Sequence, residues 1–410
     1  MNKKRLIVIG GGAAGFFCAV NAAAMNPQLD VLLLEKTSKL LSKVRVSGGG
    51  RCNVTHACFS IADMIKKYPR GSAFLKKAFH HFFTEDTIRW FGERGVKLKT
   101  EADGRMFPVS NSSEAIVNCL VQEANRTGVS VMMNADARSI AKNEDHFVLH
   151  LSDERILKAD AVCIACGGFP KAAQFSWLTG LGHTIEAPVP SLFTFNMPGN
   201  PITKLMGVSV EKAVVKIQGL KEQSEGPLLI THWGMSGPAV LRLSAWHARE
   251  LAEREYAFTV TVNWIPAWNE QTAREKMQEL RFSIATQKIV NRNPFGLPSS
   301  LWEFLLEQSG IKPEWRWADL PAKEQNRLAK ELCTAVFPVK GKTTFKEEFV
   351  TAGGILTGEI DHHTMQSKLV PGLYFAGEII NVDGITGGFN FQNAWTTGWI
   401  AAKAIANETM

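Results

Sequence analysis

The chain has 410 residues, 45% of them hydrophobic and 21% charged, with a formal net charge of +7. That is length for two or three domains, and a composition that excludes a disordered, collagen-like or disulfide-dense chain. Seven cysteines, an odd number spread along the chain, read as free thiols of a reduced, cytoplasmic protein.

The start, Met1-Asn2-Lys3-Lys4-Arg5 followed by LIVIGGGAAGFFCAVNAAA, imitates a signal peptide. Its glycine spacing has a better explanation. Residues 6–9 are a short apolar run, as expected of a buried parallel strand. Gly10, Gly12 and Gly15 follow in G-x-G-x-x-G spacing, then helix-like AGFFCAVNAAAM, then a second apolar run at 31–34 ending in Glu35. Strand, glycine turn, helix, strand and acid in that order form a dinucleotide-binding fingerprint. Gly10 allows the tight turn, Gly12 lets a pyrophosphate approach the backbone, and Gly15 lets helix and strand pack closely. Ala13 and Ala14 open the helix, whose N-terminus offers N–H donors and a positive dipole end. Glu35 is placed for the ribose hydroxyls of an adenosine half, with Lys36 beside it.

The fingerprint alone does not separate FAD from NAD; further glycine-rich segments do. Ser47-Gly48-Gly49-Gly50-Arg51-Cys52-Asn53 bares successive N–H groups and adds a fixed charge, which suits a pyrophosphate or a ring edge; the plain alternative is a flexible loop. Helical text at about 60–95 and 112–127 leads to strand-like runs at 130–133, 147–151 and 161–165, the last running into Cys166-Gly167-Gly168. Pro188 and Pro190 mark a boundary. Alternating strand-like text follows (SLFTFNM, VSVEKAVVKIQG, GPLLIT, YAFTVTVNWI), then a polar helical stretch from about 268 to 336. Glycine-rich text returns at 345–355. The end is a strand, LYFA, then Gly377-Glu378, Asp383-Gly384 and Gly387-Gly388-Phe389-Asn390 opening a last helix. An acid after strand and glycine suits ribityl hydroxyls, and a glycine-opened helix can aim N–H groups at a flavin carbonyl. These segments predict one extended FAD site in an α/β, Rossmann-type domain made of 1–190 and 342–410, with 191–341 inserted. No later stretch reaches the ~18 uncharged apolar residues of a membrane span.

GGGAAG, SGGGRCN, GRMFP at 104–108, THWGMSGPAVLRLS at 231–244, VTAGGI at 350–355 and AGEIINVDGITGGFNFQNAW together resemble the BaiN/YhiN-type flavoprotein family, also called NAD(P)/FAD-dependent or aminoacetone-oxidase-like oxidoreductases. The resemblance implies a glutathione-reductase-like FAD domain interrupted by a β-barrel-like and helical insert. Two positions depart from the family pattern. Cys166 stands where ATGG is usual, and of Leu41-Ser42-Lys43, where Gly-Arg-Lys is common, only Lys43 carries over. A single dinucleotide fingerprint means that NAD(P)H would dock transiently. Three readings compete: hydride transfer to an activated C=C, for which the family implies steroid rings or uridine of large-subunit ribosomal RNA as acceptor; oxidation of a small amine such as aminoacetone; or, from a different class, a low-turnover flavin-binding, ribosome-associated protein.

Cys52 is the thiol to single out as proton donor or nucleophile, because Arg51 beside it would lower its pKa; the alternative is a small residue packed under the loop. Cys163 and Cys166 form C-x-x-C, but positions three apart on a strand face opposite sides, which argues against a redox disulfide. His56, His80, His81, His232, His362 and His363 make no metal-binding spacing. Residues 36–79 hold ten basic residues and one acid, Asp63, a local +9. That segment is a candidate RNA or NADPH-phosphate surface, or simply a solvated helix face, with Lys66, Lys67, Arg70, Lys76 and Lys77 expected to point outward. Phe74, Phe79, Phe82 and Phe83 interleave at helical spacing and read as core.

Overall fold

The structure is a computed structural model describing residues 3–344 and 350–408. Met1 and Asn2 of the basic start lie outside the described residues, as do the first five positions of the glycine-rich return at 345–355. The chain divides into two compact units, Met1–Ser191 with Phe345–Met410, and Leu192–Thr344.

The first unit is built on a five-stranded parallel sheet. Its strands run in the order Leu373–Phe375, Ala161–Ile164, Arg5–Ile9, Asp30–Leu34, Ser130–Met132. Register pairs Leu6 with Val31 and Ala161, and Ile9 with Leu34 and Ile164. Each expected strand forms, shorter than read by one residue at Met133, one at Ala165 and one at Ala376, where the chain leaves for loops. Leu6, Ile7, Val8, Val162, Cys163 and Ile164 have no exposure, which is why these strands read as unbroken apolar runs.

The first helix, Ala13–Met25, is buried from Ala14 to Ala23 and packs against the last helix, Phe389–Glu408. Phe17 joins Phe82, Trp90, Phe91 and Trp395 in one aromatic cluster with ring centroids 4.6–6.3 Å apart. A buried Phe contributes about 1.5–3 kcal/mol, so this cluster fixes the last helix on the first. Text read as one helical region at 60–95 is instead broken into Ile61–Met64, Ser72–Ala78 and Thr84–Glu93. Pro69 and Gly71 interrupt it, and Phe74, Phe79, Phe82 and Phe83 do enter the core. Strands Ile185–Ser191 and Val350–Ile355 pair antiparallel in a separate two-stranded sheet.

The second unit is a seven-stranded antiparallel sheet in the order Ala335–Lys340, Ala257–Asn263, Ser209–Ile217, Gln223–Thr231, Gly234–Ser236, Thr194–Asn196, Lys342–Thr343. Its first and last strands in that order are consecutive in the chain, joined by Gly341 alone. Gly341 N donates to Tyr256 O at 2.9 Å and Gly341 O accepts from Asn196 N at 3.2 Å, so the sheet closes on itself as a barrel. Helices Glu270–Ser283, Ser299–Gln308 and Ala322–Thr334 share its core, which contains Trp264, Trp302 and Trp317.

Candidate cofactor site

All the glycine segments read as cofactor-binding fall in the first unit. At the first turn, Gly10 has φ +117°, and Gly10 N donates to Leu34 O at 2.8 Å. A Cβ on Gly10 would strike the Ala165 carbonyl and the Cys166 backbone, and one on Gly15 would strike the Gly10 carbonyl. These two glycines are therefore demanded by backbone contact. Gly12 differs: a Cβ there would meet nothing within 4 Å, which leaves open space above the N-terminus of the Ala13–Met25 helix. Glu35, at the end of the second strand, accepts from Gly11 N at 2.9 Å and from Thr37 N and Oγ1 at 2.9 and 2.8 Å. Three bonds leave the carboxylate room for one more donor. Lys36 reaches over the Phe169 ring, 5.8 Å from its centroid.

The Cys166-Gly167-Gly168 segment abuts this turn. A Cβ on Gly168 would lie 2.6 Å from Thr351 Cβ and 2.9 Å from Glu378 Oε1. Glu378 accepts from Thr351 N at 2.8 Å and from Lys43 Nζ at 2.6 Å. Lys43 and Glu378, 335 residues apart, are thus one ion pair rather than two independent ligands. Gly377 N donates to Thr397 Oγ1 at 2.8 Å.

Residues 48–50 run through consecutive left-handed conformations, φ +60°, +69° and +81°, after the short helix that begins at Ser42; a Cβ on Gly49 or Gly50 would meet nothing. Ser47 Oγ turns back to Val44 O. Asn53 joins this loop to the last one: its side chain donates to Thr55 O and accepts from Gly388 N, both at 3.0 Å. Asn390 closes the last loop on itself, accepting from Gly384 N at 2.8 Å and donating to Gly384 O at 2.9 Å. Phe389 stacks on His56, whose Nδ1 is 3.0 Å from Gly387 O and so carries the hydrogen. Sequence reasoning weighed His56 only as a metal ligand, although it stands three residues beyond Asn53.

Three expectations are corrected. Cys52 has no exposure; burial pushes its thiol up to about 12, against a smaller opposing pull from its hydrogen bond with Ser47. Arg51 is not among the groups that act on it, so the neighbouring cation does not activate the thiol. Arg51 is committed as well: it pairs with Glu101 at 2.6 Å and lies 4.0 Å from the centroid of Phe107. Asp383 offers no free carboxylate to a cofactor. It is fully buried, gripped by both forks of Arg70, and accepts from Ser191 Oγ at 2.9 Å. Burial pushes its carboxyl up, with Arg70 and Ser191 pulling the other way.

The basic segment loses much of its free charge by the same route. Lys43 pairs with Glu378, Arg45 with Glu114, Arg51 with Glu101, Lys66 with Asp63 and Arg70 with Asp383. Arg70 therefore points inward, against expectation, while Lys76 and Lys77 are exposed. All seven cysteines are free thiols, and Cys163 hydrogen-bonds to Cys18 rather than bridging Cys166. Cys166 is pushed up to about 12 by desolvation, against the pull of Lys36. Among the described residues no group of three His, Cys, Asp or Glu could hold a metal, and no helix is long and apolar enough to cross a membrane.

A Ser-His-Glu string hidden in the sequence also emerges. His183 Nδ1 donates to Glu359 Oε2 at 2.9 Å, and Ser367 Oγ lies 3.0 Å from His183 Nε2. It resembles a hydrolase triad in partners only. Ser367 is buried, and its oxygen already accepts from Leu369 N at 3.0 Å and Val370 N at 2.9 Å, so it clamps a loop.

The residues present fit FAD. Open space stands where Gly12, Gly49 and Gly50 lack side chains, and the buried Thr351 Oγ1 and Asn393 Oδ1 have no hydrogen-bond partner among the described residues. A parallel Rossmann sheet with this turn and carboxylate suits a dinucleotide; together with the further glycine loops and the family match, the chain is an FAD-dependent oxidoreductase. It belongs to the HI0933-like protein Rossmann domain family, which it matches over residues 4–404. It is 31% identical to the ribosomal RNA dihydrouridine synthase of Escherichia coli, covering 98% of both chains. It is 27% identical to the 3-dehydro-bile acid delta(4,6)-reductase of Clostridium scindens, covering 98% of this chain and 99% of that one. Among solved structures, the 3-ketosteroid-Δ4-(5α)-dehydrogenase of Rhodococcus jostii shares the fold at a TM-score of 0.52 and 12% identity, covering 99% of this chain and 98% of that one.

Proposed function

We propose that this chain catalyses NAD(P)H-driven reduction of an activated C=C, with uridine in large-subunit ribosomal RNA as the acceptor. The observation that carries the reading is the Escherichia coli relative, named a ribosomal RNA dihydrouridine synthase and aligned almost end to end. The Clostridium scindens relative, named for reduction of ring double bonds, supports the same reaction type on a steroid acceptor. In either case one C=C becomes a C–C bond flanked by two new C–H bonds. Hydride is added at one carbon and a proton at its neighbour, and NAD(P)H leaves as NAD(P)⁺.

FAD, when bound, supplies the hydride exchange between the nicotinamide and the acceptor. The chain's own groups hold and orient it. The backbone N–H groups at the start of the Ala13–Met25 helix would meet the pyrophosphate, and Glu35 the adenosine ribose. Thr351 Oγ1 and the Lys43–Glu378 pair are the polar groups available to ribityl hydroxyls. The N-terminal end of the Phe389–Glu408 helix, held by Asn390 and Asn53, would favour negative charge developing on a reduced ring. The buried Cys52 is not part of this machinery.

The test is RNA mass mapping of a strain lacking the gene, with purified protein added back. Loss and recovery of one dihydrouridine in large-subunit RNA is the expected result; an unchanged map refutes RNA as the acceptor. Rapid anaerobic bleaching by NAD(P)H separates this reaction from amine oxidation, in which the amine bleaches the flavin and O₂ yields peroxide.

A further inference from the structure

Four histidines and two lysines from three separated segments meet on the surface of the first unit. His81 Nε2 lies 3.0 Å from His363 Nδ1, and the His362 and His363 ring centroids are 4.0 Å apart. Lys77 acts electrostatically on His362, while His80 and Lys403 act on His81. Lys403 also sits over Trp399, 5.1 Å from the ring centroid, and Trp399 stacks on Phe82. Among the described residues, the carboxylate that acts on this group is Asp361, 3.9 Å from His362. Lys77, His80, His81, His363 and Lys403 are exposed.

We propose that this patch is a docking surface for the phosphodiester backbone of RNA, and that docking is coupled to proton uptake by its imidazoles. Desolvation and neighbouring positive charge hold His81 and His362 below the ordinary imidazole range, so the unliganded patch keeps them neutral at pH 7. A phosphate arriving among Lys77, Lys403 and the rings reverses that balance, since the charged ring gains an anionic partner. Distance decides between a polymer and a small molecule. Lys403 lies fourteen residues beyond Phe389 in one helix, about 21 Å away at 1.5 Å per residue. A free nucleoside or steroid at the glycine loops does not span that length; an RNA strand does. The inference rests on the proposed RNA acceptor and adds where, beyond the reacting base, that RNA is held.

The experiment is fluorescence anisotropy of holoenzyme with a labelled single-stranded 30-mer RNA, at pH 5.8 and 7.8 over a salt series. Wild type is expected to bind about tenfold tighter at pH 5.8. Its log–log salt slope should steepen by about 1.4, two added phosphate contacts at about 0.7 each. His81→Gln/His362→Gln should flatten the pH response, and Lys77→Ala/Lys403→Ala should weaken binding at both pH values. All variants should keep flavin content and NAD(P)H-driven bleaching. An unchanged pH response in the double Gln variant overturns the proposal. So does equal affinity for vesicles of 30% phosphatidylserine, which makes the patch a membrane surface. If the quadruple variant still forms dihydrouridine at the wild-type rate, the patch fails while the RNA acceptor stands. If the deletion strain's RNA map is unchanged, the acceptor itself fails.

Discussion

Arg70→Met is the sharpest test of how the last glycine loop is held. Arg70 grips both oxygens of Asp383; the Asp383 side chain has no exposure and that of Arg70 only 14%. Methionine fills the aliphatic volume but leaves a buried carboxylate with Ser191 as its remaining partner among the described residues. Removing one member of a buried pair costs about 3–5 kcal/mol. At about 2–4 °C per kcal/mol for a domain near this size, calorimetry should register a fall in Tm of about 6–20 °C. The orphaned acid escapes part of the penalty by binding a proton. Its folded pKa then stands above its unfolded value, so stability falls as pH rises through that window, and the deficit should be larger at pH 8 than at pH 5. Arg70→Met/Asp383→Asn removes the stranded charge and should recover about 2 kcal/mol of the loss. Arg70→Lys, which keeps the charge but not the fork, should fall between. An Arg70→Met protein melting within 1 °C of wild type refutes the reasoning, as does a double variant no better than the single.

Gly12→Val, filling the open space above the first helix, should yield protein without yellow colour, read as the absorbance ratio at 450 and 280 nm; full flavin content would contradict the assigned site. Cys52→Ala should leave both half-reactions within about twofold of wild type in stopped-flow, because the thiol is buried; a selective loss of about 10²-fold or more in the acceptor step would restore it as a general acid. Burial would raise Glu359, but hydrogen bonds from Thr184 and His183 overcome it and hold the carboxyl low. The stability it contributes is present above the ordinary glutamate value and is lost as pH falls through the lowered one. His183→Ala should therefore flatten the acid limb of a Tm–pH profile between pH 3 and 6, and an unaltered limb would contradict the clamp.

The Rossmann turn was legible because its parts lie close in sequence: Gly10, Gly15 and Glu35 fall within one strand–helix–strand unit. Its backbone contacts then account for the spacing. The insert's barrel came through the family resemblance and the alternation of its strands, which one buried face imposes. The electrostatics were not legible. Counting charges between 36 and 79 treated each cation as free, yet Lys43 and Arg70 meet acids 335 and 313 residues away. Proximity in sequence also misled at Cys52. Arg51 is its neighbour in the chain, but the thiol lies in the core while the guanidinium goes to Glu101 and Phe107. The surface histidines were visible one by one, but their meeting depends on a turn near 361 folding back onto the end of the Ser72–Ala78 helix.

Closure of the barrel through Gly341 has a consequence for biosynthesis. During translation the strands from Thr194–Asn196 to Ala257–Asn263 emerge well before Ala335–Lys340 and Lys342–Thr343, the two that seal the sheet. Until residue 343 leaves the ribosome, the nascent sheet has two open edges, each a template for pairing with another chain. The stretch between, about 70 residues carrying three helices and their loops, sets how long they stay open: at 5–20 residues per second, roughly 4–14 s. Gly377–Asn390 emerges later still, so the cofactor site is completed only after the barrel can close. Slowing translation between 264 and 335 should increase aggregation of nascent chains, while slowing it after 343 should leave the barrel sealed and delay only flavin loading.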